Sequence, residues 1–274
     1  MNTRDSLRTK LVASPYIVWS LLFILAPMVF VVYYSFTTGA GDFTFDNIRL
    51  LSKYLTTFLR SIWFGIVATV ICLLIAFPVA YIISQKTDKV QRTMVLLVMV
   101  PMWMSFLIRT YSWMAILQDT GIINNFFARV GLRPVHMINT SGAVILGMVY
   151  NFLPYMIMPI YSVMAKMDMS MIEAAQDLGG NRLTVIRKCV LPMSVPGIVS
   201  GVTMVFVPSV STFYISQKLG GGSFDLIGDV IERQFQQSYN YNLGASLSLV
   251  LMVLILICMA VMNRFSSDGG EMVI

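Results

Sequence analysis

The chain has 274 residues, of which 57% are hydrophobic and 12% charged, and its formal net charge is +6. A soluble domain has about 25% charged residues, so the composition excludes an ordinary soluble protein and predicts an all-α, polytopic helical membrane protein. The basic residues lie between apolar runs rather than in one patch, which argues against nucleic-acid binding and favours a role in orienting the chain in the bilayer.

Six apolar runs are long enough to cross a bilayer, which requires about 20 residues. The predicted spans cover residues 14–37, 61–84, 93–117, 141–165, 194–216 and 243–263. A short basic segment, 1–13, precedes the first span, and Pro27 is expected to kink that span, as membrane helices tolerate. The whole chain, 1–274, is expected to form one transmembrane domain.

The third predicted span is unusual because it contains Pro101 and Arg109. A charged side chain within a membrane is costly unless it faces a partner or water. We therefore expect a structural pairing or a gating role for Arg109, and snorkelling to the interface is the alternative. No predicted span carries an acidic residue near its centre, which argues against a proton- or sodium-coupled carrier.

Three amphipathic stretches are predicted between the spans, each with apolar residues on one helical face. The three faces consist of Ile48, Leu51, Leu55 and Phe58, of Ile122, Ile123, Phe126 and Phe127, and of Phe224, Ile227, Ile231 and Phe235.

Six spans place both termini on one side of the membrane. The termini and the two loops on their side carry more lysine and arginine than the opposite loops, and the short loop 85–92 is the densest in basic residues. The positive-inside rule therefore predicts that both termini and segment 166–192 are cytoplasmic.

Segment 166–192 is the long polar segment on that side, and its pattern predicts two short helices. Ser170 and Glu173 have the spacing of a capping box at a helix N-terminus. Gly179 and Gly180 are expected to supply the left-handed backbone that ends this first helix.

A second helical run follows the two glycines, and Pro192 is expected to end it. Ala174 and Ala175 have very small side chains, so another surface can approach the first helix closely. The sequence therefore predicts that segment 166–192 is a docking element.

No residue pattern for catalysis or nucleotide binding is found. The Gly220-Gly221-Gly222 run lacks the lysine of a phosphate-binding loop, and the three cysteines are too widely spaced for a metal or redox motif. A single histidine, His136, excludes a multi-histidine metal site within the chain. We therefore expect no catalytic residue, no metal and no cofactor in this chain.

Segment 166–192 resembles the EAA motif of the permeases of ATP-binding-cassette importers, which have a MetI-like transmembrane domain. The matching residues are Glu173, Ala174, Ala175, Gly179, Leu191 and Pro192. Cys189 stands where isoleucine is usual, a mild departure because cysteine behaves as a small buried hydrophobe. The resemblance implies that these six residues couple the chain to a separate ATPase.

A wider resemblance, to permeases that import spermidine and putrescine, rests on three further stretches: 107–117, 149–162 and 213–221. It implies a permease that forms half of a polyamine pathway in a bacterial inner membrane. The implied partners are a second permease subunit, two ATPase subunits that bind ATP and magnesium, and an extracytoplasmic polyamine-binding protein.

A polyamine requires acidic groups or aromatic faces, since each cation–π contact contributes about 0.5–2 kcal/mol. The candidate pathway residues, for which packing is the alternative role, are Tyr111, Trp113, Tyr150, Phe213 and Tyr214. Asp225, Asp229 and Glu232 are weaker candidates for contact with the substrate or the binding protein, and a solvated helix face is the alternative. A permease for another small solute, or a self-sufficient secondary carrier or channel, are the competing functions.

Overall fold

The helices of the chain were located in a computed structural model, which describes residues 15–177 and 179–271; the predicted segment 1–13 lies outside them. In chain order the helices are α1 (Pro15–Ser35), α2 (Asp46–Leu50), α3 (Leu55–Ser84), α4 (Asp88–Trp103), α5 (Phe106–Leu117), α6 (Ile122–Arg129), α7 (Ser141–Met164), α8 (Met169–Asp177), α9 (Arg182–Ser211), α10 (Tyr214–Leu219), α11 (Ile227–Gln236) and α12 (Tyr241–Glu271).

The polytopic helical architecture is confirmed. Five of the described helices are long and apolar enough to cross a membrane, namely α1, α3 with its α2 extension, α7, α9 and α12. Counting α4 and α5 together as one broken span gives six. The predicted amphipathic helix after the third span is also confirmed, as α6.

The third span is not the single helix that its length suggested. The chain bends by 87° between α4 and the helical segment that begins at Phe106. Met104 and Ser105 have extended backbone, and the Met104 N–H reaches only the Pro101 carbonyl, 3.3 Å away. Because Pro101 has no N–H to donate within the helix, the last turn of α4 is weakened where the chain bends.

Two proline positions are preceded by wide helical turns. π-helical turns cover Leu21–Leu25, just before Pro27, and Ile186–Val190, just before Pro192. A proline ring clashes with the carbonyl four residues earlier, and a widened turn relieves that clash. The prediction that Pro192 ends a helix is therefore wrong, because the helix continues through it as α9 to Ser211.

By its internal contacts the chain divides into two compact units, Met1–Leu55 with Val230–Val253 and Thr56–Asp229 with Leu254–Ile274. In the first unit, backbone carbonyls at the end of α1 accept hydrogen bonds from two side-chain amides and a hydroxyl group. Asn47 and Asn242 donate to the Thr37 carbonyl over 2.9 and 2.7 Å, and Ser246 donates to the Ser35 carbonyl over 3.1 Å. These bonds satisfy carbonyls that the end of a helix leaves without intrahelical partners.

The second unit is built around the packing of α7 against α9. A Cβ atom on Gly197 would lie 2.9 Å from the Pro159 carbonyl oxygen and 3.0 Å from the Ile160 Cα. A Cβ atom on Gly201 would lie 2.7 Å from the Met156 sulfur. Gly197 and Gly201 stand four positions apart, a spacing that is typical of close helix packing, and only glycine lets the two backbones approach this closely.

A row of small residues on α3 joins the same core. Ala68, Cys72, Ala76 and Ala80 recur every fourth position and are all fully buried. The Cys72 thiol points at the Val149 carbonyl on α7, 3.8 Å away. Cys72 therefore has a packing role in this core.

Candidate functional site

The start of α8 is fixed by Asp168 rather than by the predicted capping box. The Asp168 carboxylate accepts a hydrogen bond from the Ser170 backbone N–H over 2.9 Å, and α8 begins at Met169. Hydrogen bonds from the Ser170 backbone and side chain hold the pKa of the Asp168 carboxyl below its usual range. In the predicted capping box, the Glu173 side chain would accept the backbone N–H of Ser170. The prediction that Ser170 caps this helix is wrong, because Asp168 accepts that N–H instead.

The end of α8 is a Schellman motif built on the two glycines. Gly180 N–H donates to the Ala175 carbonyl over 3.1 Å and Gly179 N–H to the Gln176 carbonyl over 2.9 Å. Gly179 has φ of +81°, as this motif requires, whereas Gly180 is needed for space: a Cβ there would lie 2.5 Å from the Ala175 oxygen. The predicted left-handed turn is confirmed at Gly179.

The EAA residues lie on α8 with one face outward. Glu173 and Ala174 are exposed, while Ala175 is half-buried and packs against the apolar core of its unit. α8 is therefore a short helix, capped at both ends, that exposes the Glu173 carboxylate and the Ala174 methyl group. Through the contact of Ala175 with the core, such a helix can transmit the movement of a protein bound to its exposed face.

The start of α9 adds a polar cleft to segment 166–192. Asn181 caps the helix by accepting from the Thr184 N–H over 2.8 Å. A cleft of about 440 Å³ beside it is lined by Asn181, Leu183, Thr184, Arg187 and Lys188. Leu191 and Pro192 are exposed just beyond this cleft.

The candidate pathway aromatics form two ring pairs rather than one site. Tyr111 of α5 meets Tyr214 of α10 edge-on, with 6.1 Å between ring centroids. Trp113 of α5 meets Tyr150 of α7 at 5.3 Å. Tyr111 and Trp113 are two positions apart on one helix and so point to different sides. Phe213 is 41% exposed, in the break between α9 and α10.

A lysine that the sequence did not single out completes the first ring pair. The Lys218 ammonium lies 5.5 Å from the Tyr111 ring centroid and 5.7 Å from that of Tyr214. Both distances fall within the roughly 6 Å range of a cation–π contact. The four-residue spacing of Tyr214 and Lys218 was visible in the sequence, but their meeting with Tyr111 depends on the tertiary fold.

The three acidic candidates differ in burial. Asp229 is only 3% exposed, and it accepts hydrogen bonds from the Ser216 hydroxyl over 2.9 Å and the Leu226 N–H over 2.8 Å. Asp225 and Glu232 are half-buried. The alternative of a solvated helix face is therefore wrong for Asp229, whose carboxylate holds α10 to the start of α11.

Arg109 lies near the start of α5, one turn after the break in the third span. It is 7% exposed, and within the described part of the chain its Nε and Nη1 atoms have no hydrogen-bond partner. The snorkelling alternative is therefore wrong, because the guanidinium points into the protein. A buried cation of this kind destabilises the fold unless another group compensates it.

Comparison with known proteins identifies the family to which this arrangement corresponds. Residues 8–267 match the family model described as "Binding-protein-dependent transport system inner membrane component". The chain is 36% identical over 227 residues to the spermidine/putrescine transport system permease protein PotB of Escherichia coli K12, covering 79% of this chain and 82% of the relative. It is also 36% identical over 232 residues to PotB of Haemophilus influenzae, with 81% of each chain covered.

Among solved structures, a bacterial ABC transporter that imports the acidic polysaccharide alginate superposes with a TM-score of 0.78. The superposition covers 97% of this chain and 96% of the other at 21% sequence identity. An inward-facing form of the MetNI methionine ABC transporter gives 0.53 over 81% of this chain and 95% of the other, at 18% identity. At these identities the likeness is one of fold.

Proposed function

Since the chain belongs to the family of binding-protein-dependent transport system inner membrane components, we propose that it is the permease subunit of an ATP-binding-cassette importer that forms half of a pathway for spermidine and putrescine. The observation that carries this proposal is the 36% identity to PotB over 79% of the chain. Both termini are proposed to be cytoplasmic, as the basic loops predict.

The tyrosine pair formed by Tyr111 and Tyr214 supports a cationic substrate. An alkylammonium group, that of Lys218, already lies over both rings. The amines of a polyamine are protonated alkylammonium groups of the same kind, so they suit the same aromatic faces. Trp113 and Tyr150 are proposed to supply a second aromatic surface further along the pathway.

Segment 166–192 is proposed to receive one of two separate ATPase subunits, which bind the ATP and magnesium. Its proposed contact residues are Glu173, Ala174, Ala175, Gly179, Leu191 and Pro192. The two caps of α8 support this role, because a helix held at both ends moves as a rigid lever. The chain itself is proposed to be a pore subunit without catalytic activity.

The substrate is tested by uptake into cells that carry or lack the gene for this chain. Cells with the gene are expected to accumulate radiolabelled spermidine and putrescine, and cells without it to lose that component of uptake. The associated binding protein is expected to bind the same two amines. If it binds neither amine but binds another solute tightly, the polyamine assignment is overturned while the importer assignment remains.

A further inference from the structure

Lys218 places a positive charge in the tyrosine pair that would receive a positively charged substrate. It lies at the last turn of α10, on the same helical face as Tyr214 four residues earlier. Tyr111 approaches from α5, so that the rings of Tyr111 and Tyr214 flank the same ammonium group. The ammonium therefore contacts two aromatic rings rather than one.

The tyrosine pair remains accessible in this arrangement. Tyr111 is 45% exposed, and Tyr214 and Lys218 are half-buried. A site of this kind is open to a ligand from outside but is already occupied by a tethered group of the ligand's own chemistry. Two ammonium groups cannot share the same faces, since like charges at this spacing repel.

We propose that Lys218 is a built-in competitor that occupies the tyrosine pair of the resting permease and is displaced by an ammonium group of the arriving substrate. This inference rests on the proposed import of polyamines. Displacement requires only rotation of the lysine side chain about its flexible four-carbon stem. No backbone movement is needed to free the two rings.

Such a competitor makes Lys218 a determinant of specificity. A ligand with one ammonium and no other contact gains only the cation–π contacts that Lys218 loses when it is displaced, so its binding gains no net free energy from the exchange. A polyamine carries further ammonium groups that can bind elsewhere along the pathway while the first displaces Lys218. The site therefore rejects monoamines and admits polyamines.

The inference is tested by equilibrium binding of radiolabelled spermidine to the purified, assembled importer without its binding protein. The substitution K218M removes the charge and keeps the length of the side chain. We expect it to tighten spermidine binding by about 2- to 30-fold, the range that corresponds to one cation–π contact. It is also expected to make binding of butylammonium measurable.

Three controls separate competition from a merely structural role. K218R keeps the cation and is expected to bind as the wild type does, whereas K218Q is expected to repeat the effect of K218M. K53M removes an exposed positive charge from the helical turn between α2 and α3, a part of the chain that the sequence places on the same side of the membrane as Lys218, and it is expected to change nothing. Adding Y111A to K218M is expected to abolish the gain, because the freed ring is then absent.

Unchanged or weaker spermidine binding in both K218M and K218Q would overturn the inference. Wild-type uptake, measured on the same preparation with the binding protein added, distinguishes the two possible failures. If the wild type imports spermidine but the lysine variants bind it no more tightly, only the competitor role is lost. If the wild type imports no polyamine, the proposed function fails and the competitor role fails with it.

Discussion

The close approach of α7 and α9 at Gly197 makes a sharp prediction about stability. In Gly197→Ala the new Cβ would lie 2.9 Å from the Pro159 oxygen, 3.0 Å from the Ile160 Cα and 3.1 Å from a Val163 methyl group. Two of these obstacles are backbone atoms of a packed helix, which cannot rotate away. The helices must separate, and overpacking of this kind typically costs about 1–3 kcal/mol.

Gly142→Ala is the control. Gly142 lies in α7, the helix against which Gly197 of α9 packs, but no described atom lies within 3.4 Å of its built Cβ, and the nearest is Thr140 Oγ1 at 3.7 Å. Alanine has a better helix propensity than glycine, by up to about 1 kcal/mol in a helix interior, so both variants gain from the substitution apart from any clash. The difference between them therefore isolates the clash. Gly201→Ala should fall between the two, because its nearest obstacle is the flexible Met156 sulfur.

The assay is thermal unfolding of the purified importer, followed by tryptophan fluorescence at one scan rate. A difference of about 1–3 kcal/mol corresponds to roughly 2–12 °C in melting temperature for a chain of this size. Gly197→Ala is expected to melt lowest and Gly142→Ala highest. Equal melting of these two variants, or a higher value for Gly197→Ala, would refute the proposed backbone contact.

Three further predictions concern segment 166–192 and the buried Arg109. Gly179→Val is expected to weaken ATPase association, because the left-handed backbone costs a side chain about 1–2 kcal/mol; Gly179→Asn should largely retain it in a co-purification assay. The Asp168 cap is expected to be present at neutral pH and lost as pH falls through the lowered pKa; the protection of the Ser170 amide against hydrogen exchange, expressed relative to the intrinsic exchange rate at each pH, should then fall with acid, and the Asp168→Ala variant should show little protection even at neutral pH. Arg109→Met is expected to raise the melting temperature, because it removes a buried cation two of whose nitrogens have no hydrogen-bond partner among residues 15–177 and 179–271; a fall would mean that Arg109 is paired in the assembled importer.

The sequence predicted those features of the fold best in which a residue type has a single physical consequence. Long apolar runs predict membrane helices, and Gly179 is suited to a left-handed helix end. Each of these predictions depends on the chain close to the residue in question. Segment 166–192, which is proposed to receive an ATPase, was identified from its local pattern in the same way.

The sequence was misleading where neighbouring residues compete for one role. Asp168 and Ser170 are both good helix caps, and only the backbone geometry decides between them. Pro101 and Pro192 both lack an N–H, yet the chain bends after the first and passes through the second by way of a wide turn. The outcome depends on packing against other helices, which a local pattern does not contain.

The aromatic site shows a second limit. Tyr111, Tyr214 and Lys218 are brought together by the contact of α5 with α10, more than a hundred residues apart in the chain. The two tyrosines suggested cation binding by their residue type. No local spacing in the sequence predicts that they pair with each other or that Lys218 occupies the site. The same holds for Asp229, which looked like a surface residue until its partners were known.

The most direct test of the proposed function is ATP-dependent accumulation of spermidine in proteoliposomes. The expected result is uptake only when this chain, its partner permease, the ATPase and the binding protein are all present, and loss of uptake when ATP is withheld. Accumulation of spermidine by this chain alone, driven by an ion gradient, would contradict the proposal, as would a complete importer that hydrolyses ATP but accumulates no polyamine.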